Sequence, residues 1–132
     1  MNGEREAMAV IQKELKLVGS KGEQELIALF DSGATYSCID RSLAAELEIL
    51  IPLRNLLLLE TAEAERVMEV REKVVLDFYL DGYRFSDEFV VIPNLSERLV
   101  IGASTMQKWR FKLDFETEEV IIDPRVTKLR LL

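Results

Sequence analysis

Two β-rich runs, Val67 to Leu80 and Tyr83 to Val91, are separated by Asp81-Gly82 alone. Glycine accepts positive φ without steric cost, so this dipeptide is a strong signal for a tight hairpin turn. On the return run Tyr83, Phe85, Phe89 and Val91 alternate with other residues, the period of a half-buried strand. A long hairpin with one apolar face has to bury that face on further strands. The rest of the chain is therefore read for what it supplies to a β core.

It supplies more strands and little helix. Ala9 to Val18 reads as a strand with Lys13, Leu15 and Leu17 on one side. Gly19-Ser20-Lys21-Gly22 is a turn cluster, and Glu25 to Phe30 returns as a second strand. Asp40 caps a predicted helix from about Arg41 to Glu48, with Leu43 and Leu47 one turn apart on its buried side. Arg54 to Leu59 is a strand, and Pro93 to Arg98 a loop. Leu99-Val100-Ile101 is a short buried strand, and Gly102 opens a second short helix through Trp109. Phe111 to Phe115 and Val120 to Ile122 are further strands, and Val126 to Leu132 is read as one more. A faint repeat of apolar strand, glycine and short helix runs through residues 26–49 and 99–109. The sum is a mostly-β protein, closed or sandwiched rather than doubly wound. Residues 1–8 are expected to be a flexible N-terminal segment and residues 9–132 a single domain.

Composition removes several kinds of function. The net charge is −7 and lysine and arginine form no run, which disfavours nucleic acid and anionic membranes as partners. The chain has no histidine, so Ser-His-Asp and Cys-His catalysis are excluded within it, and the commonest metal ligand is missing. No metal and no cofactor are expected. Cys38 stands alone and is read as a small buried hydrophobe, there being no histidine to activate it. The start, Met1-Asn2-Gly3-Glu4-Arg5, leads into no long apolar stretch, and no run approaches a membrane span. A soluble, cytoplasmic protein is expected.

The residues that carry chemistry lie at the end of the second strand. Leu26-Ile27-Ala28-Leu29-Phe30 is apolar or small throughout, then Asp31-Ser32-Gly33-Ala34 follows. A carboxylate at the end of a buried run is costly unless hydrogen-bonded or paired. Gly33 permits a tight turn that offers its N–H to the carboxylate, and the Ser32 hydroxyl can tie one loop to another. Asp-Ser-Gly is also ordinary turn chemistry, and with Ser37 it loosely resembles a phosphorylation-dependent degradation signal. Such a signal has to be exposed and flexible, whereas this one follows a strand. One aspartate cannot serve as acid and base together. Two close together can, because the pair holds one shared proton.

The run Asp31-Ser32-Gly33-Ala34-Thr35-Tyr36-Ser37-Cys38-Ile39, followed by a short helix, resembles the catalytic loop of the retropepsin-like aspartic proteases. Leu99-Val100-Ile101-Gly102 resembles that family's second signature. The resemblance implies a small closed β-barrel with one or two short helices. It implies a homodimer in which each chain gives one loop, and endopeptidase cleavage of a polypeptide substrate without metal or covalent intermediate. Asp31 would be the catalytic residue. Ser32 would join the grip between the two loops, and Gly33, Ala34 and Thr35 would shape the loop. Ile101 and Gly102 would carry the second signature. The family's substrate-covering flap falls on Thr61, Ala62, Glu63, Ala64 and Glu65, where this chain has no glycine. That departure keeps an alternative open, a catalytically weak or inactive dimeric module that binds peptides or assembles. A monomeric interaction domain is a third.

Overall fold

The computed structural model describes residues 10–61 and 66–128. Strands β1 (Val10–Gly19) and β2 (Gly22–Asp31) form the first hairpin. After β3 (Cys38–Asp40) comes helix α1 (Arg41–Leu47). Strands β4 (Ile51–Thr61), β5 (Arg66–Leu80) and β6 (Tyr83–Ile92) follow, then β7 (Leu99–Ile101) and helix α2 (Ala103–Trp109). The chain continues through β8 (Lys112–Asp114) and β9 (Glu119–Ile121) to a last helical turn, α3 (Pro124–Lys128).

Among the described residues the strands hydrogen-bond in the order β1-β2-β7-β3-β6-β5-β4, and β1 also pairs with β5. That last pairing, Lys16 to Val18 against Asp77 to Tyr79, closes six strands into a barrel and leaves β4 outside the ring. A closed barrel has no free edge within the ring. The expected small closed β-barrel with short helices is what the chain forms. Length explains how β5 serves two structures. Its C-terminal half pairs with β6 from Lys73↔Val90 to Leu80↔Tyr83, and its N-terminal half pairs with β4 from Ile51↔Lys73 to Thr61↔Arg66. Strand β4 and the N-terminal half of β5 thus pair with each other outside the ring. The Asp81-Gly82 turn has positive φ at both residues, 50° and 83°, as a two-residue hairpin requires.

Period-two alternation sends one face of each strand inward. Ile11, Leu15 and Leu17 of β1, Ala28 and Phe30 of β2, Val74, Leu76, Phe78 and Leu80 of β5, and Phe85, Phe89 and Val91 of β6 are all buried. Lys13, on the same side of β1, is half-buried and extends its ammonium to Asp81, 3.2 Å away. Aromatic rings fill the centre. Phe85 stacks on Phe78 with centroids 5.3 Å apart and meets Phe111 edge-on at 4.8 Å. Trp109 packs edge-on against Phe85 and donates its Nε1–H to the Ser86 carbonyl, which fixes α2 against β6. Leu43, Ala44 and Leu47 put the apolar side of α1 into the same core.

One expectation is corrected. The sequence pattern predicts a strand over Val126 to Leu132, but residues 126–128 belong to α3. The cause is local. Asp123 accepts the Arg125 N–H at 3.0 Å, its carbonyl accepts the Val126 N–H at 3.1 Å, and Pro124 takes the first helical position, where its missing N–H costs nothing. Residues 129–132 and 1–9 lie outside the described residues. No described helix is long and apolar enough to cross a membrane.

Candidate active site

The site begins where β2 leaves the barrel. Asp31 is the last residue of β2, paired with Val10 on one side, so its backbone is still held by the sheet. Its side chain emerges half-buried, and Ser32, Gly33, Thr35 and Tyr36 beyond it are exposed. The Gly33 N–H donates to Asp31 Oδ1 at 2.9 Å, as the sequence led one to expect. The Ala34 N–H donates to the Asp31 carbonyl at 3.1 Å, closing the turn. A methyl group on Gly33 would sit 3.2 Å from Asp31 Oδ1, tight enough to press on the carboxylate.

The second signature lands directly beside the first. Strand β7 pairs in parallel with β2, Leu29 against Val100 and Phe30 against Ile101. On its other side β7 runs antiparallel to β3, Cys38 against Val100 and Ile39 against Leu99. Ile101 is therefore fully buried next to the strand that presents Asp31. Gly102 comes next, with its Cα against the loop. A Cβ there would lie 2.5 Å from the Tyr36 carbonyl oxygen and 2.8 Å from that of Ala34. Only glycine lets the two backbones approach so closely. The first amides of α2 are then used up by the loop. Ala103 N–H donates to the Ala34 carbonyl at 2.7 Å, and Ser104 N–H to that of Thr35 at 3.0 Å.

Two residues that the sequence reading did not single out as site residues complete the anchorage. Gly102 N–H donates to Ser37 Oγ at 2.9 Å, and Ser37 Oγ lies 2.5 Å from Thr105 Oγ1. Both hydroxyls are buried. A sequence clue existed: a hydroxyl residue six positions after Asp31 and another three after Gly102.

The other polar groups nearby play lesser parts. The Cys38 thiol is pushed up to about 11, first by burial and then by the negative charge of Glu97. It stays protonated at neutral pH and is no nucleophile, in keeping with its reading as a small hydrophobe. Asp40, at the start of α1, is held below the ordinary carboxylate value chiefly by the Ser42 hydroxyl, with help from the Leu95 N–H at 2.9 Å. These bonds fasten the 93–98 loop to α1. An open cleft of about 500 Å³ starts at Ser32 and follows α2 to β8, walled by Met106, Phe111, Leu113 and Phe115 with Arg110 and Lys112.

The loop therefore gathers Asp31, Ser32, Gly33, Ala34 and Thr35 in one turn, and the barrel brings Ile101 and Gly102 against it. The flap candidates are not brought to the site by any described contact. Thr61 ends β4, and Ala62, Glu63, Ala64 and Glu65 lie outside the described residues. One chain presents one such aspartate loop, an acid or a base but not both.

Comparison with known proteins agrees with this geometry. A family model described as aspartyl protease matches residues 14–105, more than half of the chain and a span that includes both signatures. No curated protein sequence matches the chain. Among solved structures, the retroviral protease-like domain of Ddi1 from Leishmania major superposes with a TM-score of 0.62 at 18% identity, covering 86% of this chain and 89% of that one. The foamy viral protease-reverse transcriptase, solved with an RNA/DNA hybrid, gives 0.48 at 21% identity over 73% of this chain and 12% of that one. The first of these is a likeness of fold over nearly the whole length of both chains.

Proposed function

The chain belongs to the aspartyl protease family, with a retropepsin-like fold, and from that premise we propose that it is an aspartic endopeptidase acting as a homodimer. The observation that carries the reading is the Asp31 loop, a half-buried carboxylate held by the Gly33 N–H and braced by the Gly102 signature. Two chains would bring two Asp31 carboxylates together about a two-fold axis. At about 3 Å they cannot both ionise, so the pair keeps one proton. The ionised member takes a proton from water as it attacks the scissile carbonyl. The protonated member donates to the carbonyl oxygen, and the proton then passes to the leaving amine. The substrate is an extended polypeptide. Ser32 joins the contact between the two loops, and no metal or cofactor takes part.

The test uses purified protein and unstructured polypeptides between about pH 4 and 7, where a shared-proton pair works. Asp31→Asn is expected to abolish cleavage and to keep the fold. Cleavage by the Asn variant would overturn the assignment. The glycine-free segment Thr61 to Glu65 favours a second reading, a dimeric peptide-binding or assembly module. In that case extended peptides bind to wild type and Asp31→Asn alike, and no product forms at any pH. Sedimentation at micromolar concentration separates both from a monomeric interaction domain.

A further inference from the structure

A catalytic carboxylate has to be placed to within a fraction of an ångström, yet the loop that carries Asp31 has little packing to place it. Ser32, Gly33, Thr35 and Tyr36 are exposed, so burial of apolar surface does not position them. Hydrogen bonds do. Ala34 links the two ends of the device, its N–H bonded to the Asp31 carbonyl at 3.1 Å and its own carbonyl to the Ala103 N–H at 2.7 Å. At the far end of the loop Ser37 makes three contacts. Its carbonyl accepts the Val90 N–H at 2.9 Å, its Oγ accepts the Gly102 N–H at 2.9 Å, and the same Oγ is hydrogen-bonded to Thr105 Oγ1 at 2.5 Å. Ser37 is 2% exposed and Thr105 fully buried, so water cannot substitute for either hydroxyl.

We infer that the Ser37–Thr105 hydroxyl pair is a positioning lock, fastening the Asp31 loop to α2 and thereby setting the reach of the carboxylate. Sixty-eight residues separate the two partners, so the bond forms only once β7 has inserted between β2 and β3. Neither residue touches the reacting atoms; each acts through Gly102, Ala34 and Asp31. The kinetic consequence rests on the endopeptidase reading, whereas the fastening of the loop does not.

The experiment compares Thr105→Val, which keeps the shape and removes the hydroxyl, with Thr105→Ser, which keeps the hydroxyl. Two readouts are taken. Amide hydrogen exchange of Gly102, Ala103 and Ser104 reports the loop-to-helix bonds without reference to activity. It is expected to quicken about tenfold or more in Thr105→Val, while the barrel amides of Phe30 and Val74 keep their protection. Steady-state cleavage is expected to lose about 10- to 100-fold in kcat with KM within about threefold, because a small misplacement acts on the chemical step. Thr105→Ser is expected to keep both close to wild type. Unchanged exchange at Gly102, Ala103 and Ser104 in Thr105→Val overturns the lock. A uniform rise over the whole barrel, or an equal loss in Thr105→Ser, also overturns it, since either means general destabilisation. If the wild type cleaves nothing, the endopeptidase reading fails and the exchange measurement alone decides the lock.

Discussion

Substituting Gly102 by alanine isolates the contact on which the whole site rests. The residue has φ −97° and ψ −178°, extended backbone open to any side chain, so the substitution introduces no torsional strain. The effect is pure crowding. The new Cβ would stand 2.5 Å from the Tyr36 oxygen, 2.6 Å from the Tyr36 carbonyl carbon and 2.8 Å from the Ala34 oxygen. All three are backbone atoms, and an ordinary carbon–oxygen contact is about 3.3 Å or more. The loop therefore has to retreat by roughly 0.8 Å, which lengthens the bonds from Gly102, Ala103 and Ser104. Overpacking of this kind costs about 1–3 kcal/mol, and each weakened hydrogen bond adds about 0.5–1 kcal/mol. With three such bonds the total is about 2.5–6 kcal/mol, which lowers the melting temperature of a chain this size by roughly 10–20 °C. The assay is thermal unfolding followed by circular dichroism at fixed protomer concentration, because a dimer's transition depends on concentration. Gly22→Ala is the control. Nothing lies within 4 Å of a Cβ there, so its transition should stay within about 2 °C of wild type or rise slightly. A Gly102→Ala protein that melts with the control would refute the close approach, and with it the bracing of the Asp31 loop.

Two further outcomes follow from the core and from the half-buried Cys38 thiol. Phe85→Ala should lose about 4 kcal/mol in urea unfolding, the upper range for a buried phenylalanine, because Phe78, Trp109 and Phe111 all lose a ring partner; a loss under about 1 kcal/mol would mean the aromatic cluster can collapse. Cys38 has a folded-state pKa raised from 9.0 to about 11, by burial first and Glu97 second. Its contribution is fully present below the unfolded value and disappears as pH rises from about 9 through about 11. Wild type should thus lose stability more steeply than Cys38→Ala across that window, and parallel slopes would remove burial of the thiol as the cause.

Local signals in the chain were sufficient for most elements, and the reason is that each needs only near neighbours. The Asp81-Gly82 turn, the Gly19 to Gly22 turn and α1 after Asp40 stand where adjacent residues place them, and so does α2 after Gly102, although its first amides are satisfied by the distant Ala34 and Thr35 carbonyls. The Asp31 turn belongs with these, since Gly33 reaches Asp31 Oδ1 from two residues away. The exception is the strand expected from Val126, where Asp123 and Pro124, three and two residues earlier, start a helical turn instead. A short helical turn needs just such a cap, and no apolar periodicity announces it.

What the tertiary structure decided is everything that joins distant segments. Parallel pairing of β2 with β7, insertion of β7 beside β3, and closure of β1 on β5 are long-range events that no local pattern encodes. The 2.5 Å approach that forbids a side chain at Gly102 and the Ser37–Thr105 bond exist only after those strands meet. By itself the sequence determined that Asp31 would end a strand in a glycine turn, because a strand period and a glycine are local properties; that only Ala28 and Phe30 of the apolar run are buried while Ile27 is exposed was decided by the barrel. The three-dimensional arrangement determined how firmly that aspartate is held. Hydrogen bonds between backbones act over about 3 Å, and residues 31–37 and 102–105 come within that distance only in the closed barrel.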